Sequence, residues 1–491
     1  MRNMLGCAYA TLAIALGASA AAAAADKRPG IERSVVRIVN YTQRGDWYAP
    51  WEVSSVSAGV GSGFVIRDGL VMTNAHVVSD ARLILIYLHN DPNPHPADVF
   101  TIGHDCDLAL VRPRETGLLD GVPALEFDGL PILGSTVETF GFPQGGTFLS
   151  STRGVVSRIG EQLYLHSGID RHVAVQTDAS INPGNSGGPV IQDGRVVGVA
   201  FQASPDLQSV GYFIPAEVIE RFQRDVADGR YDGYPELGTQ TVNMDNPAAR
   251  AQAGLAPNES GVRVDSIMSG ASADGLLKPG DVLLEIEGHA IANDGTVLEG
   301  ERRLDFGMLI DRHLIGERAT LRVLRAGARE TVSVPLAAMP AARLHSNAYE
   351  RRPRYYVYAG LVFVPLELET LKTYGQRWYS DADRTLLYEF LFRPQREPEL
   401  SSHERIVLLR RLDHQVNAHL NWSRNEVVER VNGKVVRSVD DLIAAVEGHP
   451  GDFHLFEFSS FGRLSVIDRR AADKANAEIL TRYGVSKDRQ L

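Results

Sequence analysis

The chain has 491 residues, of which 44% are hydrophobic and 23% are charged. This composition is typical of a globular protein with several packed domains, and it argues against a disordered chain. The formal net charge is -11 and no dense Lys/Arg run is present, which excludes nucleic acid as the main partner.

The first 25 residues have the organisation of a secretory signal peptide. Arg2 supplies a positive charge, the apolar stretch from Met4 to Gly17 is too short to span a bilayer comfortably, and Ala-x-Ala cleavage sites precede Asp26. An uncleaved anchor and an organelle transit peptide are the alternatives, although transit peptides are usually rich in Arg and Ser. We expect an exported protein, periplasmic if the source is a Gram-negative bacterium.

The mature chain is expected to be soluble and to lack disulfides. The full sequence has two cysteines. Cys7 lies in the expected signal peptide, so the mature chain keeps only Cys106 and no internal disulfide can close. No later apolar run reaches transmembrane length, which predicts that the protein has no stable membrane insertion.

Residues 26–230 predict a domain made of β-strands. Short apolar runs alternate with turns throughout, as in Gly63 to Ile66, then Arg67-Asp68-Gly69, then Leu70 to Met72. The number and spacing of these runs favour two antiparallel β-barrels. From Pro215 to Val226 the apolar spacing becomes helical, and we expect this helix to close the domain.

Residues 231–337 and 357–488 predict two copies of one small α+β module. The run Glu426 to Gly433 aligns without gaps on Asp281 to Gly288. The alternative is that any strand followed by a tight turn would look alike. The polar stretch 338–356, which carries Arg and Pro, predicts a linker between the modules.

For two segments, the sequence does not identify the packing partner. Within the second module, residues 374–420 predict a helical insertion, whose apolar residues at helical spacing are Leu386, Leu387, Phe390 and Leu391, then Ile406, Leu409 and Leu412. We favour core packing for them over an inter-subunit contact. An aromatic loop with Trp47, Tyr48 and Trp51 either packs locally or docks on a neighbour in an assembly.

Three polar residues, each at the end of a predicted strand, together suit acyl transfer. Ser186 is the candidate nucleophile, and the glycines around it permit a tight turn that directs the N–H groups of Gly184 and Ser186 at one oxyanion. His76 suits a general base, and Asp107 suits the carboxylate that orients it. Each residue alone has an ordinary structural explanation, but the order His, Asp, Ser is that of chymotrypsin-like double barrels.

Two alternatives concern the residues around Asp107. Asp105 would face the same side of a strand and competes for the orienting role, but the apolar strand begins directly after Asp107. His104, Asp105, Cys106 and Asp107 also contain metal-ligand types. No second cluster at metal spacing accompanies them, so we expect neither a metal nor a cofactor.

The motifs resemble those of the HtrA/Deg family of trypsin-like serine proteases. The matching runs are Thr177 to Pro189 around the serine, Gly141 to Gly146, Gly154 to Ile159 and Gly211 to Pro215. The two modules resemble PDZ domains. The runs Ile291 to Val297 and Gly360 to Phe363 look most like the plant-type Deg branch, which carries two PDZ domains.

This resemblance implies a mainly β protein in which a chymotrypsin-like double β-barrel is followed by two α+β PDZ domains. It implies an ATP-independent endopeptidase that hydrolyses misfolded or damaged proteins and forms trimers or multiples of trimers. The family's triad falls on His76, Asp107 and Ser186. Its specificity pocket falls on Ile181, Val199 and Phe201. Ser180 lies where a trypsin would carry its acidic specificity residue, so an apolar side chain is expected before the scissile bond.

PDZ domains capture extended peptides by strand addition, with loop N–H groups receiving the terminal carboxylate. By resemblance, this loop in the second module comprises Gly360, Leu361 and Val362. In the first module Glu236 occupies the equivalent run, and an acidic side chain there would weaken anion capture. The alternative to a protease is a chaperone-like or peptide-binding PDZ scaffold whose protease domain rests in an inactive state.

Overall fold

The structure is a computed structural model. It describes residues 30–143, 146–203, 210–339, 347–375, 377–397, 400, 403–420, 424–459 and 463–491. The expected signal peptide lies outside these ranges. Within them, no helix is both long enough and apolar enough to cross a membrane.

The first part of the chain forms a closed barrel of six strands in the order β1-β2-β3-β6-β5-β4. Its elements are α1 (Ile31–Ser34), β1 (Val35–Thr42), β2 (Ser57–Ile66), β3 (Leu70–Thr73), α2 (Ala75–Val78), β4 (Ala81–Tyr87), β5 (His95–Gly103) and β6 (Leu108–Pro113). Small and branched apolar side chains fill the barrel, among them Val36, Ile38, Val65 and Val71.

A second closed barrel follows, with strand order β10-β11-β12-β9-β8-β7. Its elements are β7 (Thr136–Gly141), β8 (Ser150–Leu163), β9 (Arg171–Thr177), β10 (Pro189–Gln192), β11 (Arg195–Ala203), β12 (Gly211–Pro215) and α3 (Ala216–Asp225). The predicted double barrel is therefore confirmed. The expected closing helix is α3, which buries Val218, Ile219 and Phe222 in a cluster shared by both barrels.

The first module is a sheet with the strand order β13-β14-β15-β19-β20 and a separate hairpin of β17 and β18. Its elements are β13 (Thr239–Asn243), α4 (Pro247–Ala253), β14 (Val262–Ile267), β15 (Val282–Ile286), β16 (His289–Ala290), β17 (Thr296–Glu299), β18 (Arg302–Asp305), α5 (Gly307–Ile310), β19 (Arg318–Arg325) and β20 (Ala328–Pro335). Asn246 caps α4 by accepting a bond from the Ala248 N–H at 2.9 Å.

The second module is built on an eight-stranded sheet in the order β27-β26-β24-β23-β22-β21-β28, with β25 paired to β24. Its elements are β21 (Tyr355–Tyr358), β22 (Leu361–Pro365), α6 (Leu368–Lys372), α7 (Trp378–Asp381), α8 (Arg384–Leu387), a π-turn (Tyr388–Phe392), α9 (Arg393–Arg396), β23 (Ile406–Arg411), β24 (Glu426–Val431), β25 (Lys434–Val435), α10 (Val439–Glu447), β26 (Phe453–Phe458), β27 (Leu464–Asp468), α11 (Arg469–Arg482) and β28 (Arg489–Gln490). This sheet extends two residues beyond each predicted bound of the module.

The expected helical insertion is helical only in its first half. The prediction of helix at Ile406, Leu409 and Leu412 is wrong, because Ile406–Arg411 is the central strand β23. Residues 406–409 are all buried between two apolar clusters. A short, continuous apolar run of this kind does not distinguish a buried strand from a buried helix.

The helical half packs within its own module. Leu386 and Phe390 are buried with Val407 and Val427 of the neighbouring strands. The carboxylate of Glu389 pairs with the Arg405 guanidinium at 2.9 Å, and both side chains are almost fully buried. Leu386 and Phe390 therefore belong to the core of the module.

The aromatic loop of the first barrel packs on the second module of its own chain, a partner that neither alternative named. Trp51 meets Tyr355 edge-on, with ring centroids 6.3 Å apart. The Arg410 guanidinium lies 4.7 Å from the Tyr48 ring centroid and 5.7 Å from that of Trp51. These contacts fix the second module against the protease-like barrels.

The first module docks on the second barrel through a buried ionic contact. Nδ1 of His172, on β9, lies 2.7 Å from Oδ2 of Asp311, which follows α5. The Tyr234 ring lies against the same imidazole, with centroids 4.1 Å apart. Burial lowers the pKa of His172, but the Asp311 carboxylate more than offsets this effect, so its pKa is raised.

Docking of the first module should therefore weaken as the solution becomes alkaline. Because the pKa of His172 is higher in the folded protein than its ordinary value of about 6.5, the stabilisation is complete below that value and is lost as the pH rises through the raised pKa. His172→Gln should lower the free energy of unfolding by about 2 kcal/mol at pH 6 and by less at pH 8. Thermal unfolding at the two pH values measures this, and Asp311→Asn should remove the same pH dependence. A loss that is equal at both pH values would contradict the prediction.

Candidate active site

The first barrel places His76 and Asp107 side by side. His76 lies in α2, directly after β3, and Asp107 directly precedes β6; β3 and β6 are hydrogen-bonded neighbours. Nδ1 of His76 lies 2.8 Å from Oδ2 of Asp107, and the His76 backbone N–H donates to Oδ1 at 2.9 Å. Two bonds to one carboxylate hold both the ring and the backbone of the histidine.

The backbone around Asp107 explains why this carboxylate, and not that of Asp105, meets the histidine. Asp107 has a φ of 51°, a left-handed conformation that Asp adopts more readily than most residues. The Asn74 side chain donates to its carbonyl oxygen at 2.9 Å. The Asp105 carboxylate instead accepts a hydrogen bond from the Tyr231 hydroxyl.

The electrostatics of the pair favour an ionised aspartate and an oriented imidazole. Burial lowers the pKa of His76, but the Asp107 carboxylate outweighs this effect, and the pKa is raised. Burial raises the pKa of Asp107, while the charge and hydrogen bond of His76 outweigh it, and the pKa is lowered. The ionised carboxylate accepts Nδ1–H, which leaves Nε2 of the neutral ring as a proton acceptor.

Ser186 lies on the turn that leads into β10, and glycines shape this turn. Gly184 has a φ of 100° and Gly187 a φ of 86°, a region that side chains rarely adopt. A Cβ on Gly187 would lie 2.0 Å from the Ser62 carbonyl oxygen, so only glycine fits there. Among the described residues, neither the Gly184 nor the Ser186 N–H donates to a protein acceptor. These two groups are the donors that the sequence predicts for an oxyanion.

The Ser186 hydroxyl makes no hydrogen bond to His76 in this structure. It donates to the Phe201 carbonyl oxygen at 3.3 Å. Ser186 and His76 nevertheless line one cleft. Hydrogen bonds between a nucleophile and its base are often long or misaligned before substrate binds.

Ser62 is a contributor that sequence reasoning missed. Its hydroxyl donates to the Gly184 carbonyl at 2.7 Å and accepts from the Phe142 N–H at 2.8 Å, while its own N–H donates to the Ser186 carbonyl at 2.8 Å. One buried residue of the first barrel thereby holds the serine turn of the second. A serine within a Gly-Ser-Gly strand carries no sequence signal for such a role.

The cleft has a volume of about 370 Å³ and mostly apolar walls. Its lining residues are Gly59, Val60, His76, Val77, Ile181, Asn182, Pro183, Gly184, Ser186, Phe201, Gln202 and Ala203. Of the predicted pocket, Ile181 and Phe201 lie in this wall, while Val199 is buried within β11 and does not line it. Ser180 is exposed outside the cleft. Neither Asp nor Glu stands among these lining residues.

The predicted carboxylate loop of the second module has no open strand edge. Ala359 and Gly360 form a tight turn between β21 and β22, and β22 is hydrogen-bonded on both sides, by β21 and β23. The Ala359 N–H also donates to Oδ1 of Asn476 at 2.9 Å. β21 already occupies the position beside β22 that an added peptide strand would take, next to Gly360, Leu361 and Val362.

At the equivalent position, the strand pairing of the first module differs from that of the second. Its strand β13 lies at an edge of the sheet. Burial raises the pKa of Glu236, which precedes that strand. The backbone of Glu236 is also fixed, because its N–H donates to the Ala337 carbonyl oxygen at 3.3 Å.

The described residues contain no group of three or more His, Cys, Asp or Glu side chains that could hold a metal ion. His104 instead bonds to His166 and Glu350, and Cys106 is buried beside the Tyr231 hydroxyl at 3.4 Å.

Comparison with known proteins places this site in a family. A model of the trypsin-like peptidase domain matches residues 61–199, which contain all three triad candidates, and a PDZ domain model matches residues 344–490. The chain is 32% identical over 465 residues to Protease Do-like 2, chloroplastic, of Arabidopsis thaliana, covering 93% of this chain and 74% of that protein. This chain belongs to the HtrA/Deg family of serine proteases. It is a peptide-bond hydrolase with a trypsin-like peptidase domain and a PDZ domain.

Two further similarities agree with this assignment. The chain is 33% identical over 293 residues to a probable periplasmic serine endoprotease DegP-like of Pseudomonas fulva (strain 12-X), covering 57% of this chain and 56% of that protein. The structure of the HtrA-type protease AlgWS227A with decapeptide has a TM-score of 0.50 and 22% identity, and covers 63% of this chain and 96% of that chain. This likeness supports the double-barrel fold.

Proteolysis should decline on the acid side with a midpoint above pH 6.5. Only neutral His76 accepts a proton, and its pKa is raised from the ordinary value of 6.5. The measurement is kcat/KM for a peptide substrate between about pH 5 and about pH 9, a span that brackets the ordinary histidine pKa of about 6.5. Asp107→Asn is the control, and it should lower kcat about 10⁴-fold because the wrong tautomer is then favoured. A profile that stays flat down to pH 5 would count against His76 as the base.

Proposed function

We propose that this protein is an ATP-independent serine endopeptidase that hydrolyses misfolded or damaged proteins with a His76, Asp107 and Ser186 triad. The observation that carries the proposal is the meeting of the His76–Asp107 pair and Ser186 at one cleft. The N–H groups of Gly184 and of Ser186 itself donate to none of the described protein acceptors. The mostly apolar cleft suits side chains that folded proteins keep buried.

The geometry supports the usual steps of acyl transfer. The Ser186 hydroxyl turns from the Phe201 carbonyl to His76, whose Nε2 takes the proton as Oγ attacks the peptide carbonyl carbon. The oxyanion accepts bonds from the N–H groups of Gly184 and Ser186, each worth about 3 kcal/mol in the transition state. His76 then passes its proton to the leaving amine, and water hydrolyses the acyl-enzyme. Asp107 stabilises the imidazolium throughout.

The proposal includes regulation through the modules and through assembly. The hydroxyl bond to Phe201 supports a resting state that peptide or partner binding converts into the active one. The open edge of β13 is the place where the first module would take an extended peptide. Three side chains of the barrel domain, Ile132, Leu133 and Phe148, are more than 60% exposed, which supports a homo-oligomer such as a trimer. Export to a periplasm remains part of the proposal, and the periplasmic relative supports it.

The alternative function is a chaperone-like or peptide-binding scaffold with an inactive protease domain. The bond between Ser186 and Phe201 is the observation that favours it, since it leaves the nucleophile without its base. The paired His76 and Asp107 favour the enzyme.

Degradation of unfolded casein separates the two functions. The protein should degrade casein without ATP, and Ser186→Ala should lower the rate by about 10⁶-fold, which means to background. Ser157→Ala is a matched control because Ser157 is exposed on β8 and lies outside the cleft, and it should retain activity. Equal casein degradation by the unaltered protein and Ser186→Ala would refute the triad. Suppressed aggregation without cleavage would support the scaffold.

Cleavage should occur after apolar side chains. The cleft wall offers Ile181 and Phe201 and no carboxylate, so Lys or Arg would be buried there without a partner. Mass spectrometry of the casein products maps the sites. Ile181→Val should shift the preference among apolar residues by about tenfold, the value of one methylene in a pocket. Ile191→Val, in the core away from the cleft, should not. Products ending mainly in Lys or Arg would overturn this assignment.

A further inference from the structure

The described end of the segment that connects the two modules, residues 347–350, lies against the barrel domain, close to the His76–Asp107 pair. The Asn347 side chain donates to the Ser167 carbonyl at 2.5 Å, and the Tyr349 hydroxyl donates to the His166 carbonyl at 2.9 Å. The sequence predicts only a linker here. Its described end, residues 347–350, instead makes specific contacts with the loop between β8 and β9.

Tyr349 stacks on two histidines at once. Its ring centroid lies 3.7 Å from that of His104 at an angle of 13°, and 4.6 Å from that of His166 at 27°. Nδ1 of His104 lies 2.9 Å from Nε2 of His166. The His166 ring lies in turn 6.1 Å from the ring of His76. Tyr349 therefore closes a packed aromatic layer whose other face is the catalytic histidine.

Glu350 bonds to both elements that carry the pair. Its Oε1 accepts from the Asp80 N–H at 3.0 Å and from the Ser79 hydroxyl at 3.3 Å, directly after the helix of His76. Its Oε2 lies 2.9 Å from Nε2 of His104, in the turn that leads to Asp107. One carboxylate thereby ties the end of α2 to the β5–β6 turn.

Both ring nitrogens of His104 have partners in this layer. Nε2 lies 2.9 Å from Oε2 of Glu350, and Nδ1 lies 2.9 Å from Nε2 of His166. Burial lowers the pKa of His166 to about 4, so this ring stays neutral. The charged or titratable groups that face it are His76, His104, Asp107 and Glu350. His166 therefore does not compete as a cation with the imidazolium of His76 for Asp107.

We propose that Tyr349 and Glu350 are positioning residues for the catalytic histidine and aspartate. Through the segment 347–350, the position of the second module on the barrel domain then affects the geometry of His76 and Asp107. The strand β21 begins five residues after Glu350, and its Tyr355 is held by Trp51 of the barrel domain. Movement of the second module would pull on this segment and loosen both elements. The inference rests on the proposed function, because it needs His76 and Asp107 to act in catalysis.

Kinetics of full-length variants test the role. Tyr349→Ala and Glu350→Gln should lower kcat for a peptide substrate by about 10- to 100-fold, because small displacements of a base are costly, and should leave KM within about twofold. Tyr349→Phe keeps the stacked ring and should retain most of kcat. The matched controls are Tyr379→Ala and Glu478→Gln, at exposed positions in the second module. Titration of Ser186 with a fluorophosphonate counts active sites, and thermal unfolding reports folding.

Each outcome has one meaning. An unchanged kcat in folded Tyr349→Ala or Glu350→Gln overturns the positioning role while leaving the proposed function intact. An equal loss in the control variants overturns it too, since the effect is then global. If Tyr349→Ala does not fold, Glu350→Gln decides, because this half-exposed carboxylate is not needed for the core. Full activity of Ser186→Ala would remove the proposed function itself.

Discussion

The contact of Ser62 with the serine turn is the constraint on which the site depends. The proposed base His76 and its carboxylate belong to the first barrel, whereas the proposed nucleophile Ser186 belongs to the second, so the proposed triad requires a fixed relation between the barrels. Ser62 supplies it with three hydrogen bonds, two of them to the backbone of Gly184 and Ser186. Gly187 permits the approach, since a Cβ would meet the Ser62 carbonyl oxygen at 2.0 Å. Buried polar bonds of this kind hold geometry because breaking one leaves an unpaired group.

The modules extend the same arrangement outward. His172 and Asp311 join the second barrel to the first module, and Trp51 joins the first barrel to the second module. The segment with Tyr349 and Glu350 lies against the elements that carry His76 and Asp107. Each barrel is therefore held by a different module. A short path of packed side chains therefore connects the position of either module to the site.

Local sequence patterns predicted the elements that have one buried and one exposed face, and they predicted the turns that need glycine. The two barrels, the helix α3 and the serine turn are of this kind. The prediction failed at residues 406–409, which are buried on both faces, because a central strand and a buried helix then carry the same apolar run. At Gly360 to Val362 the sequence pattern carries no signal that β21 lies along β22, because that pairing depends on the fold of the whole module.

The sequence by itself determined the chemistry of this protein: a serine between glycines, a histidine and an aspartate at the ends of strands, and a family resemblance that the comparisons confirmed. These features are local, because residue type and turn geometry decide them. Only the tertiary structure decided that Ser62 holds the nucleophile, that Trp51 packs on the second module, and that Glu350 lies beside His104. The Glu350 contact joins residues 246 positions apart. No local pattern encodes such a pair, since it depends on how the two barrels and the two modules pack together.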